Sequence, residues 1–215
     1  MKKIKNFSQF LNEGFFDNPV LGKLGSILSG TKDSSYTPQV TPVSKTLRDP
    51  LIPSGKSIVI GDSLSPNLAK CSKADLISST GGASSLWEGG IAIAVLLGFV
   101  KSYTKTDSTI KNVVISIGTN GIFARSTDTV NKLVDELKKK FPSAKLLVVK
   151  GTYGPKATWS ASLTRVSQST VDNYYSDFTK KGVYVVPTAI GNQTNAHNYT
   201  DIYTTIGKEI DANLA

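Results

Sequence analysis

The chain has 215 residues, of which 39% are hydrophobic and 19% charged, and its formal net charge is +9. This length is sufficient for one domain with an ordinary core, and no apolar run reaches the ~18 residues that a membrane span needs. One cysteine, Cys71, and one histidine exclude an internal disulfide and a zinc site of the usual Cys/His kind. We expect no metal and no organic cofactor, and we expect Cys71 to be a small buried residue.

Lysine supplies most of the positive charge, since only Arg48, Arg125 and Arg165 are arginine. Proteins that read nucleic acids usually use more arginine, because its planar guanidinium binds phosphate and guanine through two hydrogen bonds. The excess charge therefore favours a soluble, lysine-rich surface. A polyanionic partner, such as DNA or an acidic glycan, is the open alternative, and of these we do not expect nucleic acid.

The first 54 residues differ from the rest of the chain. Residues 1–16 carry apolar side chains at three- and four-residue spacings, which predicts an amphipathic leader helix. Polar residues interrupt this stripe and no small-residue cleavage site follows, so we expect no secretory signal. Residues 17–54 are predicted to form a linker rich in Pro, Ser and Thr.

From Ser57 onward, predicted strands and helices alternate. The predicted strands cover 57–60, 75–78, 112–117, 146–149 and 183–186, and the predicted helices cover 86–103, 127–141, 160–181 and 198–214. This order predicts an α/β domain over residues 55–215, a three-layer sandwich whose mainly parallel sheet is flanked by helices on both faces.

The first strand runs directly into Gly61-Asp62-Ser63-Leu64. Ligands of parallel sheets bind outside the carboxyl ends of the strands, and the helix start after this turn offers backbone N–H groups to an oxyanion. Ser63 is a candidate nucleophile, but a serine needs a base, and His197 is the chain's one histidine. Taken alone, each residue has a structural alternative, because serine commonly forms turns or caps helices.

Four short blocks in this order resemble the GDSL/SGNH hydrolases. Gly61-Asp62-Ser63-Leu64 is similar to the first block of that family, residues 80–84 resemble its glycine block, and residues 117–120 resemble its Gly-x-Asn block. His197 precedes the last predicted helix, as the base of the family does. The resemblance covers about residues 55–215.

This resemblance implies an SGNH/flavodoxin-like fold and a serine esterase, with Ser63 as nucleophile and His197 as general base. It also implies an oxyanion hole made by the backbone N–H groups of Ser63 and Gly82 and by the side-chain amide of Asn120. Carboxylic esters, including O-acetylated glycans, are the substrates it implies. The alternative is a catalytically weak or inactive virion component that keeps the fold.

Two positions depart from the family pattern. The family usually has Asp three residues before the histidine, where this chain has Thr194, and its Gly-x-Asn block usually continues with Asp, where this chain has Gly121. Loss of the orienting carboxylate costs ~10⁴-fold in rate in a true triad enzyme. We expect a backbone carbonyl of residues 192–196 to orient His197, with Asp201 as the alternative acid.

The leader carries a second resemblance. Residues 1–14 are similar to the capsid-targeting leaders of internal proteins in large contractile-tailed bacteriophages, and Leu11-Asn12-Glu13 matches their protease site. This implies cleavage after Glu13, a capsid partner for residues 1–16, and a cytoplasmic or virion location. A helix that docks on its own domain or a partner, and one that lies on a membrane surface, are the alternatives.

Overall fold

The computed structural model describes residues 57–76, 86–158 and 160–215. The predicted leader, the predicted linker and Gly82 lie outside these residues. One parallel sheet contains five strands in the order β2-β1-β3-β4-β5, namely β1 (Ser57–Gly61), β2 (Asp75–Leu76), β3 (Asn112–Ser116), β4 (Lys145–Val149) and β5 (Tyr184–Val185). The prediction of an α/β fold built on a parallel sheet is confirmed.

Five helices flank the sheet among the described residues: α1 (Ser65–Cys71), α2 (Ile93–Ser102), α3 (Thr127–Lys140), α4 (Gln168–Lys180) and α5 (Asp201–Asp211). Helices α2, α3 and α4 share one hydrophobic core with the sheet, whereas α1 and α5 share the other. The result is three layers. None of these helices is long and apolar enough to cross a membrane.

Successive residues of the central strands serve opposite cores. In β1, Ile58 and Ile60 pack toward α2–α4, while Val59 packs toward α1 and α5. Because both faces are covered, the strands read as continuous apolar runs instead of alternating with polar residues. Full burial of each such side chain contributes about 1.5–3 kcal/mol to the stability of the fold. The stable centre of the sheet therefore fixes the positions of the loops at its carboxyl edge.

The predicted helix over residues 86–103 is wrong before Ile93. The N–H of Gly61 donates to the Leu86 carbonyl (2.9 Å), and Trp87 forms an isolated parallel bridge with Gly61. This segment therefore extends the sheet beside the end of β1. Gly90 follows with a φ of 80°, a backbone conformation that a helix interior does not contain.

The predicted helix over residues 160–181 is also wrong in its first part. A short 3₁₀ turn covers Leu163–Arg165, and α4 begins at Gln168. Ser167 caps the helix by accepting a hydrogen bond from the Thr170 N–H (3.2 Å). Ser167 thus marks the start of α4, which the spacing of apolar residues does not indicate.

Candidate active site

Ser63 lies in the turn that joins β1 to α1. The N–H of Asp62 donates to the Ser116 carbonyl (2.8 Å) at the end of β3. The Asp62 carboxylate oxygen Oδ1 accepts from the Ser116 hydroxyl (2.8 Å) and from the Leu64 N–H (3.1 Å). The turn is thereby tied to a central strand on one side and to the start of α1 on the other, which holds Ser63 at the carboxyl edge of the sheet.

His197 lies beside Ser63, although the two are 134 residues apart in sequence. The distance between His197 Nε2 and Ser63 Oγ is 2.9 Å, within the range for a general base and its nucleophile. Both side chains are half-buried. Burial lowers the pKa of His197 below its ordinary value, so its imidazole is neutral at pH 7 and able to accept a proton.

The backbone on both sides of His197 is held by hydrogen bonds. Asn195 Oδ1 accepts from the His197 N–H (3.0 Å), and the Asn67 side-chain amide donates to the His197 carbonyl (2.9 Å). The Tyr203 hydroxyl donates to the carbonyl of Ala196. Asn67 belongs to α1 and Tyr203 to α5, so the helix that follows the nucleophile and the helix that follows the base together position this loop.

Asn120 follows β3 and is solvent-exposed. Its side-chain amide donates one hydrogen bond to the Ile91 carbonyl (3.2 Å), and a primary amide carries a second N–H. Gly89, in the same loop as Ile91, packs against Ser63, since a methyl group built on it would lie 3.7 Å from Ser63 Cβ. The 86–92 loop thus contacts both Ser63 and Asn120.

The other candidate residues stand as follows. Gly82, the second backbone donor of the expected oxyanion hole, lies outside the described residues. Thr194 is solvent-exposed in the loop before His197, and Asp201 is solvent-exposed as the first residue of α5. The expectation that a backbone carbonyl orients the imidazole stays a prediction.

Cys71 is half-buried rather than fully buried, and its thiol donates to the Leu68 carbonyl (3.3 Å). Burial raises the pKa of this thiol to about 11, which keeps it protonated at neutral pH and removes its nucleophilicity. Within residues 57–76, 86–158 and 160–215, no three His, Cys, Asp or Glu side chains are grouped so that they could hold a metal ion.

Asp62 is a buried carboxyl group with incomplete hydrogen bonding. It is 1% exposed, and no group among the described residues hydrogen-bonds its second oxygen, Oδ2. Burial raises the pKa of Asp62 to about 6 from 3.8, and the hydrogen bonds from Ser116 and Leu64 oppose the shift only in part. Ionised Asp62 therefore destabilises the fold.

We predict a pH-dependent stability difference between the wild type and Asp62→Asn. The folded chain binds the Asp62 proton more tightly than the unfolded chain, so this group's stabilising contribution is complete below pH 4 and is lost as pH rises to about 6. At ~1.4 kcal/mol per pKa unit, the free energy of unfolding of the wild type should fall by about 3 kcal/mol relative to the variant across this window.

Urea unfolding at a series of pH values measures this difference. Asp75→Asn is the matched control, because Asp75 is a solvent-exposed carboxyl group at the start of β2. Its plot of unfolding free energy against pH should run parallel to that of the wild type. A constant difference between wild type and Asp62→Asn from pH 4 to pH 8 would contradict the prediction.

Comparison with known proteins does not assign the chain to a family. No protein-family model matches the sequence, and no curated protein matches it. One similar solved structure is a member of the lipolytic protein G-D-S-L family from Veillonella parvula, with 13% identity over 73% of this chain and 98% of that chain and a TM-score of 0.48. Another is the OSK domain of Drosophila Oskar, with 14% identity over 60% of this chain and 62% of that chain and a TM-score of 0.37. At such identities and TM-scores, neither likeness assigns an activity.

Proposed function

We propose that this chain is a GDSL/SGNH-type serine hydrolase that cleaves carboxylic esters through an acyl-enzyme on Ser63. The observation that carries the proposal is the 2.9 Å distance between Ser63 Oγ and His197 Nε2 at the carboxyl edge of a parallel sheet. The order of the sequence blocks around Ser63, Asn120 and His197 supports the same function.

In the first half of the reaction, Ser63 Oγ attacks the ester carbonyl carbon while His197 Nε2 takes the serine proton. This step requires the imidazole tautomer whose remaining proton is on Nδ1. The tetrahedral intermediate then expels the alcohol, which leaves with the proton from His197. In the second half, His197 deprotonates a water molecule, which attacks the carbonyl carbon of the acyl-enzyme. The bond between Ser63 Oγ and the acyl group then breaks, His197 returns the proton to Ser63, and the acid is released.

Negative charge develops on the carbonyl oxygen in both halves of the reaction. The backbone N–H of Ser63 and the second N–H of the Asn120 amide are the donors that we propose for it, together with the N–H of Gly82. The hydrogen bond from Asn120 to the Ile91 carbonyl supports this role, because it restricts the rotation of the amide. Hydrogen bonds to the backbone on both sides of His197 position the base.

Carboxylic esters are the proposed substrate class, with O-acetylated glycans as one example. The resemblance of residues 1–14 to capsid-targeting leaders supports the further proposal that the enzyme acts in a virion. A fluorophosphonate probe tests the activity, because it forms a covalent bond only with an activated serine. We expect labelling of the native wild type but not of heat-denatured wild type or Ser63→Ala.

Ser65→Ala is the matched control for this labelling. It removes a second hydroxyl from the same segment, one that is buried and has no hydrogen-bond partner among the described residues, and it should still be labelled. Absence of labelling in the native wild type would reject the hydrolase in favour of an inactive structural component with this fold.

A further inference from the structure

Lysines are concentrated at the amino edge of the sheet, opposite the candidate active site. The connection from α2 to β3 (residues 103–111) and the segment from the last turn of α3 to the first residue of β4 (residues 137–145) contain six lysines but one acidic residue, Asp107. Four of these lysines are solvent-exposed and two are half-buried. We call the six the lysine face: Lys105, Lys111, Lys138, Lys139, Lys140 and Lys145.

Backbone hydrogen bonds hold the two segments of the lysine face side by side. The N–H of Asp107 donates to the Lys140 carbonyl (2.7 Å), which joins the connection after α2 to the end of α3. The N–H of Lys145 donates to the Lys111 carbonyl (2.7 Å), which joins the starts of β4 and β3. The six lysines therefore belong to one continuous surface.

The positive charge of this surface is not neutralised within the described part of the chain. None of the six side chains forms an ion pair with a carboxylate there, and three of them donate to backbone carbonyls instead. The helix macrodipole favours lysines in the last turn of α3. It does not account for Lys111 and Lys145 at the starts of strands, nor for Lys105 in a connection. The stability of the fold therefore does not explain the lysine face.

A partner of the lysine face must carry negative charge, which the chain itself does not supply. Residues 1–56 contain eight Lys or Arg against four Asp or Glu, so this part of the sequence is also basic. A second copy of the chain would carry the same net charge of +9 and would be repelled. The complementary partner is therefore a polyanion from outside the chain.

The position of the lysine face separates it from the ester site. Strand β3 lies between Lys111, which precedes it, and Asn120, which follows it, and its five residues span about 16 Å. A glycan bound as the ester substrate would lie at the carboxyl edge, beside Ser63. A polyanion on the lysine face is therefore not the substrate of the proposed reaction.

The lysine face also lacks exposed apolar and aromatic side chains. Among the described residues, the exposed large hydrophobic side chains are Ile122 and Tyr199, and both follow strands at the carboxyl edge. A lipid surface is usually bound through an apolar anchor as well as positive charge, and unpaired bases are bound by stacking on aromatic rings. Neither of these partners fits a surface of lysines alone.

Duplex DNA fits such a surface, because it carries one negative charge per ~1.7 Å of helix axis and its bases are stacked inside. The scarcity of arginine led us to expect no nucleic acid, but that argument concerns the reading of base sequence. Phosphate contacts need only positive charge and carry no sequence information. We propose that the lysine face binds duplex DNA through its phosphates, independently of base sequence. This inference does not depend on the proposed hydrolase function.

Fluorescence anisotropy of the full chain with two labelled duplexes of unrelated sequence tests the proposal. We expect both duplexes to bind with the same Kd, on the order of 10 µM near physiological salt. The logarithm of the association constant should fall linearly with the logarithm of the NaCl concentration. A slope of about −4 is expected if four to five phosphates are neutralised, at ~0.9 per phosphate.

Charge-neutral variants locate the binding surface. Lys139→Gln combined with Lys140→Gln should make the slope shallower by about 2 and weaken binding about tenfold or more near physiological salt. Glutamine has nearly the helix propensity of lysine, and circular dichroism verifies folding. Lys105→Gln, outside any helix, should make the slope shallower by about 1. Lys156→Gln combined with Arg165→Gln is the matched control, because it removes two exposed charges from the carboxyl edge, and it should keep the wild-type slope.

Two results would overturn the proposal. Equal slopes for the wild type and the Lys139→Gln, Lys140→Gln variant would show that any DNA binding occurs elsewhere on the chain. Binding of polygalacturonate, an acidic glycan, at a salt concentration where neither duplex binds would assign the lysine face to a glycan instead. Both measurements are independent of the fluorophosphonate reaction, so failure of this inference and failure of the hydrolase are separate outcomes.

Discussion

Ser63→Ala should lower kcat/KM for p-nitrophenyl butyrate by about a thousandfold or more, because it removes the oxygen atom on which we propose that the acyl-enzyme forms. His197→Ala should cause a loss of similar size, since an unactivated serine hydroxyl is a weak nucleophile at neutral pH. The double variant should be no worse than either single variant, because the two residues act as one unit. Steady-state kinetics of the three variants, with circular dichroism to verify folding, measure these effects.

The pH dependence of the wild type gives a second measurement of the same pair. His197 must be neutral to accept the serine proton, so kcat/KM should fall as pH drops through the pKa of His197, which burial places below its ordinary value. Ser65→Ala should retain both the rate and the pH profile. A Ser63→Ala variant that keeps even a tenth of the wild-type rate would remove Ser63 from the mechanism.

Gly61→Ala should be the most destabilising single change in this turn. The φ of Gly61 is 129°, and a Cβ at this position would lie 1.9 Å from the backbone carbonyl oxygen of Ser116. Neither atom can move without separating β1 from β3, which pair at these two residues. We expect a loss of more than about 4 kcal/mol, a large part of the ~5–15 kcal/mol that stabilises an ordinary domain.

Gly98→Ala is the matched control for Gly61→Ala. Gly98 lies within α2, and a Cβ built on it meets no heavy atom within 4 Å apart from its chain neighbours and the backbone of its own helix. Alanine at a helix interior position should therefore raise stability by about 1 kcal/mol. Urea unfolding followed by circular dichroism measures both variants. Equal midpoints for Gly61→Ala and the wild type would mean that the first glycine of the motif is not required by packing.

Part of the fold, and the residues of the candidate site, could be predicted because local rules govern them. Short apolar runs ending in glycine or a polar turn indicate parallel strands, and a serine just past such a strand has a defined place at the edge of the sheet. The sole histidine, placed before the last helix, was the natural candidate for the base. These rules act over a few residues at a time, and they indicated Ser63 and His197.

Other features depend on contacts that no local pattern encodes. The Asn67 side chain donates to the carbonyl of His197, which is 130 residues away in sequence. Its position on the helix after Ser63 was the only feature of the sequence that indicated a place near the candidate site. The sequence from residue 86 onward has the pattern of a helix, but Trp87 pairs with Gly61 as a strand residue does. Ile122 has a left-handed backbone conformation, which a β-branched residue disfavours, whereas the adjacent Gly121 does not have a positive φ. Conformational propensity would therefore place the left-handed residue at Gly121 instead of at Ile122.

The distance along the chain between Ser63 and His197 has a consequence for protein synthesis. The ribosome makes the segment containing Ser63 early, whereas the loop carrying His197 follows β5, the last strand, and is held in place by α5. A nascent chain that has folded its first strands thus displays a serine with no base beside it. If Ser63 and His197 act as we propose, the nucleophile is activated only when residues up to Asp211 have emerged and α5 has packed against α1, so a growing chain would hydrolyse no ester before that helix is complete.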